Sequence, residues 1–160
     1  VWGIRLLIFL VRRVIRAGRD RRFDKVKGEP ITFWFYWTVQ GLWVYVTLLP
    51  VIVLNLRAHD RRQPPLGLLD YAGIAVWILG FTIEVVSDYQ KYTFRGDPTN
   101  AHDFIRHGLW ATCRHPNYFG EVVLWFGMFL LCASPLTTSQ LAIAFISPIF
   151  VLFVLLRLSG

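Results

Sequence analysis

The chain has 160 residues, enough for a single domain, and 55% of them are hydrophobic and 16% aromatic, with a mean hydropathy of +0.47. These values exclude an ordinary soluble protein and predict an integral membrane protein. The net charge is +7, but the basic residues lie between apolar stretches and not along one face, so we expect anionic lipid head groups and an anionic cofactor as partners, and no nucleic acid.

The apolar run over 1–15 is interrupted by Arg5, Arg12 and Arg13, which the core of a signal peptide would not contain. The run predicts either a membrane span that has been cut short or an amphipathic helix at the membrane interface. Because the chain starts at Val1 without a Met, we expect one domain over 1–160 that is truncated at its start.

Four later apolar runs predict membrane helices. The runs 31–56 and 66–89 reach the roughly 20 residues that a helix needs to cross the hydrocarbon layer. The shorter runs 118–133 and 141–156 flank an uncharged segment with turn chemistry, and they predict a helical hairpin. The expected fold is all-α, a multi-pass membrane bundle with four to five helices.

The distribution of Lys and Arg predicts the orientation of the bundle. Segments 16–30 and 91–117 carry six and four of these residues, whereas the intervening loops 57–65 and 134–139 carry three and none. Positively charged loops stay on the cytoplasmic side. We therefore expect segment 91–117 to face the cytoplasm, in either a bacterial inner membrane or the endoplasmic reticulum.

Charged residues follow one face of the second long run. Glu84, Asp88, Lys91 and Arg95 are spaced at i, i+4, i+7 and i+11, which places them on the same side of a helix. One interpretation is a helix end whose ion pairs reach the head groups. The other is a face that lines a pocket, and the turn-rich segment 94–100 would let the chain fold back over it.

A second polar cluster precedes the third run. A helix that starts near Pro116 presents free backbone N–H groups and a positive dipole end beside Arg114 and His115. This arrangement predicts an anion site in which Arg and His hold phosphate, while Asn117, Tyr118 and Glu121 reach sugar or amide groups. The alternative is that Arg114 and His115 only anchor the helix to lipid phosphates.

The cysteines and histidines do not indicate a metal centre. Cys113 and Cys132 form no CxxC pair, and we expect two free thiols. The four histidines lack ligand spacing, so we expect no metal.

The sequence around these clusters resembles the steroid 5-alpha-reductase and sterol-reductase superfamily, and most closely its DUF1295 branch. The resemblance rests on the segments 88–95, 108–110 and 114–121, and it extends to 40–44. It implies a multi-pass membrane enzyme that uses NADPH to reduce a carbon–carbon double bond in a steroid or another lipid. It also implies a further C-terminal segment after Gly160, so we expect the domain to be truncated at both ends. The cofactor contacts that it implies are Glu84, where related reductases commonly have an amide, and Asp88, Lys91, Arg95, Asn100, Trp110, Arg114, His115, Asn117, Tyr118 and Glu121.

The substrate cavity needs a polar end, because reduction of an enone requires a polarised oxygen and a proton. Gln40 is the only amide well inside the first long run, and Tyr36 lies one turn before it. We expect Gln40, together with Tyr36, to be catalytic. The alternative is that Gln40 bonds to a neighbouring helix.

Two other functions remain open. Membrane methyltransferases that act on isoprenylcysteine or phospholipids with S-adenosylmethionine also carry an Arg-His-Pro-x-Tyr-x-Gly element, here residues 114–120. The upstream Lys91 and Arg95 suit a ligand with several phosphates, which favours the reductase. A non-catalytic sterol-binding scaffold is the third possibility.

Overall fold

The structure is a computed structural model that describes residues 1–18, 28–57, 65–100 and 103–157. Within these ranges the chain forms six α-helices and no β-strand, so the prediction of an all-α fold is confirmed. The helices are α1 (Trp2–Ala17), α2 (Pro30–Thr47), α3 (Leu49–Arg57), α4 (Leu68–Phe94), α5 (Pro116–Ala133) and α6 (Thr138–Arg157). Two compact units contain residues 1–44 and 45–160.

Three of the described helices, α4, α5 and α6, are long and apolar enough to cross a membrane, and a fourth crossing is possible if α2 and α3 act as one span. These helices support an integral membrane protein. Most of the basic residues in segment 16–30, together with Arg61 and Arg62 of the next loop, lie outside the described residues.

Helix α1, in the first unit, is amphipathic. Its exposed apolar side chains include Ile4, Leu7, Val11 and Ile15, which recur at the spacing of one helical face. The helix ends at Gly18, whose φ of 75° places it in the left-handed region that glycine adopts without strain. With 16 residues, α1 fits the interfacial alternative better than a span.

The first predicted span is wrong as a continuous helix, because it breaks at Leu48 into α2 and α3, which are bent by 59°. Pro50 explains the break, since a proline inside a helix lacks the N–H donor and its ring crowds the carbonyl one turn earlier. In the second unit, the buried Ser147 hydroxyl of α6 donates a hydrogen bond of 2.6 Å to the Thr47 carbonyl beside the break. This bond gives a partner to a backbone carbonyl at the break, and it thereby reduces the free-energy cost of interrupting the helix.

Helices α4 and α5 pack in an antiparallel pair through four glycines. Gly73 and Gly80 of α4, and Gly120 and Gly127 of α5, are all buried and repeat every seven residues. A Cβ atom on Gly73 would lie 2.5 Å from the Leu131 nitrogen, and one on Gly120 would lie 2.6 Å from the Glu84 nitrogen. The two backbones are therefore in direct contact, as small residues allow in membrane helix pairs.

The predicted hairpin is present as α5 and α6, and α3 packs against both helices. Arg57, at the end of α3, donates a hydrogen bond to the Pro135 carbonyl in the turn between α5 and α6. The start of α4 lies at this same end, because Gly73 packs near Leu131. The opposite end of the second unit therefore contains the end of α4, the start of α5 and the end of α6.

Candidate functional site

The four charged residues near the end of α4 differ in their exposure. Glu84 and Asp88 are buried, with 4% and 9% of their surface exposed, where α4 packs on α5. Lys91 and Arg95 are exposed as the helix ends. The predicted helical face exists, but its first two residues are buried and only its last two are exposed.

A short 3-10 turn, Gly108–Ala111, is hydrogen-bonded to the end of α4. The Leu109 amide donates a hydrogen bond of 3.1 Å to Oε1 of Gln90, and Nε1 of Trp110 donates one of 3.0 Å to the Ser87 carbonyl. The Lys91 ammonium lies 5.0 Å from the centre of the Trp110 ring, within range of a cation–π interaction. Trp110 and Lys91, both predicted cofactor contacts, are therefore adjacent.

Gly108 permits this close approach. Its φ of +59° lies in the left-handed region, and a Cβ atom there would collide with the Gln90 side chain. The roles of Gln90, Ser87 and Gly108 were not predicted from the sequence. The spacing in the sequence could have indicated Ser87 and Gln90, because they share one helical face with Lys91 at i, i+3 and i+4.

The chain after α4 forms a compact turn. Asn100 donates from Nδ2 to the Phe94 carbonyl at 3.2 Å, and the Arg95 guanidinium donates to the Asn100 carbonyl at 3.3 Å. Asp97 accepts hydrogen bonds from the backbone and hydroxyl of Thr99, and these bonds lower the pKa of Asp97 below its ordinary value. Asn100 and Arg95 therefore help to shape the turn, a contribution that the sequence did not specify.

Helix α5 starts at Pro116, with His115 as the residue that precedes its first turn. Proline is favoured here because its fixed φ suits a helix start and its missing N–H is not needed. The His115 and Tyr118 rings stack with their centres 4.8 Å apart. Arg114 is exposed just before the helix.

The polar residues of α5 divide between two sides of the helix. Asn117 and Glu121 are four residues apart and share one side, whereas His115, Tyr118 and Val122 share another. The second group lines a cavity between α5 and α6. The residues of the predicted cluster therefore lie at the same end of α5 but on two sides of it, and only one of these sides lines the cavity.

The Asn117 side chain places a polar atom in a buried position. Among the described residues, its Oδ1 atom is buried and has no hydrogen-bond partner. A buried acceptor without a partner costs about 1–3 kcal/mol. An amide or hydroxyl donor of a bound molecule would remove that cost.

The two residues predicted to be catalytic belong to the first unit, whereas the residues described above belong to the second. Tyr36 and Gln40 belong to α2 in the first unit, and both are exposed. They lie one turn apart, as the sequence predicts.

Cys113 is exposed and Cys132 is buried, and both are free thiols as predicted. In the part of the chain that the structure describes, no three His, Cys, Asp or Glu side chains form a group that could hold a metal ion. His59 and His102 lie outside the described residues.

Over the residues that the structure describes, the fold and the placement of the polar side chains define an all-helical protein with three to four helices that could span a membrane and with an ionisable cluster at one end of the α4/α5 pair. The chain belongs to the family described as "Protein of unknown function (DUF1295)", which matches residues 1–160. No curated protein and no solved structure matches the chain.

Proposed function

We propose that this protein is an integral membrane reductase that uses NADPH to reduce a carbon–carbon double bond in a steroid or another lipid, with the cofactor site facing the cytoplasm. The observation that carries the proposal is the meeting of two polar segments, distant in sequence, at one end of the α4/α5 pair. The bonds from Leu109 and Trp110 to α4 bring the chain before α5 beside Lys91. The resemblance to steroid 5-alpha-reductases supports the same chemistry.

The charges and donors of this end suit a phosphorylated dinucleotide. Lys91, Arg95 and Arg114 are exposed cations that can pair with phosphates. The start of α5 adds its positive dipole end. Asn117, with its unsatisfied Oδ1, would accept a hydrogen bond from the carboxamide or a ribose hydroxyl.

The remaining predicted contacts have more limited roles in this proposal. Trp110 offers an aromatic surface beside Lys91, and His115 and Tyr118 offer a stacked pair of rings. Glu84 and Asp88 are buried, and the Glu84 backbone lies against Gly120 of α5, so we assign them no direct contact with the phosphates. Glu121 shares the side of α5 that carries Asn117.

NADPH, when bound, supplies the hydride for the reduction. The protein would bind and orient it and exclude water, which a bundle open to lipid at its sides can do while admitting a lipid substrate. Gln40, with Tyr36, remains our prediction for the polar end of the substrate cavity. Its amide would donate a hydrogen bond to the substrate oxygen.

Equilibrium binding of NADPH to the detergent-solubilised protein tests the proposal. We expect saturable binding that is weaker for NADH. Lys91→Ala and Arg114→Gln should each lower the affinity about 10- to 100-fold, the equivalent of a charge-assisted hydrogen bond of about 1.5–3 kcal/mol. Arg12→Gln on α1, an exposed cation far along the chain from the cluster, is the matched control and should change nothing.

Two results would replace the proposal. Tight binding of S-adenosylmethionine without NADPH binding would favour a membrane methyltransferase. Binding of neither, in protein whose thermal unfolding is cooperative, would favour a non-catalytic scaffold. Membrane lipids are expected partners under all three functions.

A further inference from the structure

A cavity of about 330 Å³ lies between the start of α5 and the end of α6. This volume is at the lower end of the roughly 300–1,000 Å³ that small-molecule sites enclose. Both helices belong to the second unit, and all the lining residues are described.

One end of the cavity is polar and cationic. Arg114 and His115 line it, and the Tyr118 ring, stacked on His115, continues the lining into α5. No carboxylate is among the lining residues. This end of the cavity therefore attracts a negative charge and offers N–H donors to it.

The rest of the cavity is apolar. Val122 of α5 faces Leu152 and Leu155 of α6 across it. Phe119 and Leu156, at its edge, are 56% and 65% exposed on the outside of the helices, where acyl chains would surround a spanning bundle. A molecule can therefore enter from the lipid without crossing water.

We infer that this cavity binds an anionic single-chain lipid. Its negatively charged head group pairs with Arg114 and His115, and its tail lies along Val122, Leu152 and Leu155. The volume suits a single acyl chain, and the cation at one end favours an anionic lipid over a neutral one. This cavity shares Arg114, His115 and Tyr118 with the proposed cofactor site but is not lined by Lys91 or Trp110, and the inference does not depend on NADPH binding.

Cys113 lines the cavity and is exposed, so its thiol is a built-in probe. The experiment measures the rate at which a maleimide alkylates Cys113 in the protein reconstituted in nanodiscs, in a Cys132→Ala background that leaves one thiol. Palmitate is the probe ligand, hexadecanol is the neutral control with the same tail, and butyrate is the anionic control without a tail. We expect palmitate at ten times its Kd to slow alkylation about tenfold, and the two controls to have no effect.

Variants separate the contribution of charge from that of shape. Arg114→Gln should abolish protection by removing the charge, and Leu155→Trp should abolish it by filling the cavity. Leu79→Trp on α4, an exposed leucine outside the cavity, and Arg12→Gln are the matched controls. Mapping a diazirine-labelled palmitate to peptides of α5 and α6 in the unmutated protein tests the same site without any change to the cavity.

Absence of protection by palmitate, equal protection by hexadecanol, or photolabelling elsewhere would each overturn the inference. Lys91→Ala distinguishes this site from the proposed cofactor site, because it should weaken NADPH binding and leave protection by palmitate unchanged. If neither the unmutated protein nor any variant binds NADPH, and palmitate still protects Cys113, only the proposed function is rejected.

Discussion

Gly80 and Gly120 lie opposite each other where α4 and α5 cross, and a Cβ atom on Gly120 would lie 2.9 Å from the Gly80 carbonyl oxygen. The charged end of α4 and the start of α5 are held together by this contact, because it fixes how far apart the two helices can be. The nearby Glu84 nitrogen belongs to the same contact.

Gly80→Ala should destabilise the protein by about 1–3 kcal/mol, because the added methyl group meets the backbone of α5 and cannot be accommodated by a side-chain rotation. The higher helix propensity of alanine, worth about 1 kcal/mol, offsets only part of this cost. Unfolding of the solubilised protein followed by circular dichroism provides the measurement. Gly41→Ala on α2, where nothing lies within 4 Å of the added atom, should be neutral or stabilising. Equal effects of the two substitutions would contradict the direct backbone contact.

Ser147→Ala should cost about 1–3 kcal/mol, because the Thr47 carbonyl beside the break between α2 and α3 loses a buried hydrogen bond. Thr82→Ala is the control. Its hydroxyl bonds to the Ile78 carbonyl within the same helix and on an exposed side, so its removal should change the stability by less than about 0.5 kcal/mol. The difference between the two variants in chemical unfolding isolates the bond that α6 makes to the break, and a difference of zero would show that this bond contributes nothing.

Gly108→Ala should detach the 108–111 turn from α4. Alanine is strained at a φ of +59°, by about 1–2 kcal/mol, and its methyl group would also displace the Gln90 side chain. Hydrogen exchange followed by mass spectrometry should show faster exchange of the Leu109 amide, which donates to Gln90. Adding Gln90→Ala relieves the collision and leaves the backbone strain, so stability should recover in part while the Leu109 amide stays unprotected. Unchanged exchange in Gly108→Ala would refute this role of the glycine.

The pKa of Asp97 should rise towards its ordinary value of 3.8 in Thr99→Ala and remain low in Thr99→Ser, because serine keeps the hydroxyl donor. Since the folded-state pKa is depressed, the ionised carboxylate stabilises the turn at pH values above 3.8, and this contribution disappears as the pH falls through the lower folded-state pKa. Carbon-13 NMR titration of the labelled aspartates measures both variants, with Asp97→Asn to assign the resonance. The same pKa in alanine and serine variants would exclude the hydroxyl as its cause.

Single cysteines at Thr137 and Thr99 should be labelled from opposite sides of the membrane. Thr137 lies in the turn that Arg57 contacts through Pro135, and Thr99 lies in the turn after α4, at the other end of the helices. In the native background, Cys113 should label from the same side as the Thr99 cysteine, and the buried Cys132 should label from neither. Labelling of both engineered cysteines from one side would show that α5 does not cross the membrane.

The sequence was sufficient to predict the helices that depend on long apolar runs, and α4, α5 and α6 lie close to the predicted ranges. It did not predict the bend between α2 and α3, although Pro50 was visible, because prolines in membrane helices are often tolerated without a large bend. The polar clusters were visible from spacing alone. The division of α5 into an Asn117 side and a cavity side was not, because it depends on where α6 packs.

The four interdigitated glycines also have a consequence for biogenesis. With 18 residues, α5 is the shortest of the three candidate spans and close to the minimum length for crossing, and α4 has 27. A marginal segment of this kind gains from a partner that is already in the bilayer, and α4 leaves the ribosome first. Stable insertion of α5 should thus require contact with the glycines of α4. The packing of α5 on α4 and the insertion of α5 into the membrane should therefore occur together.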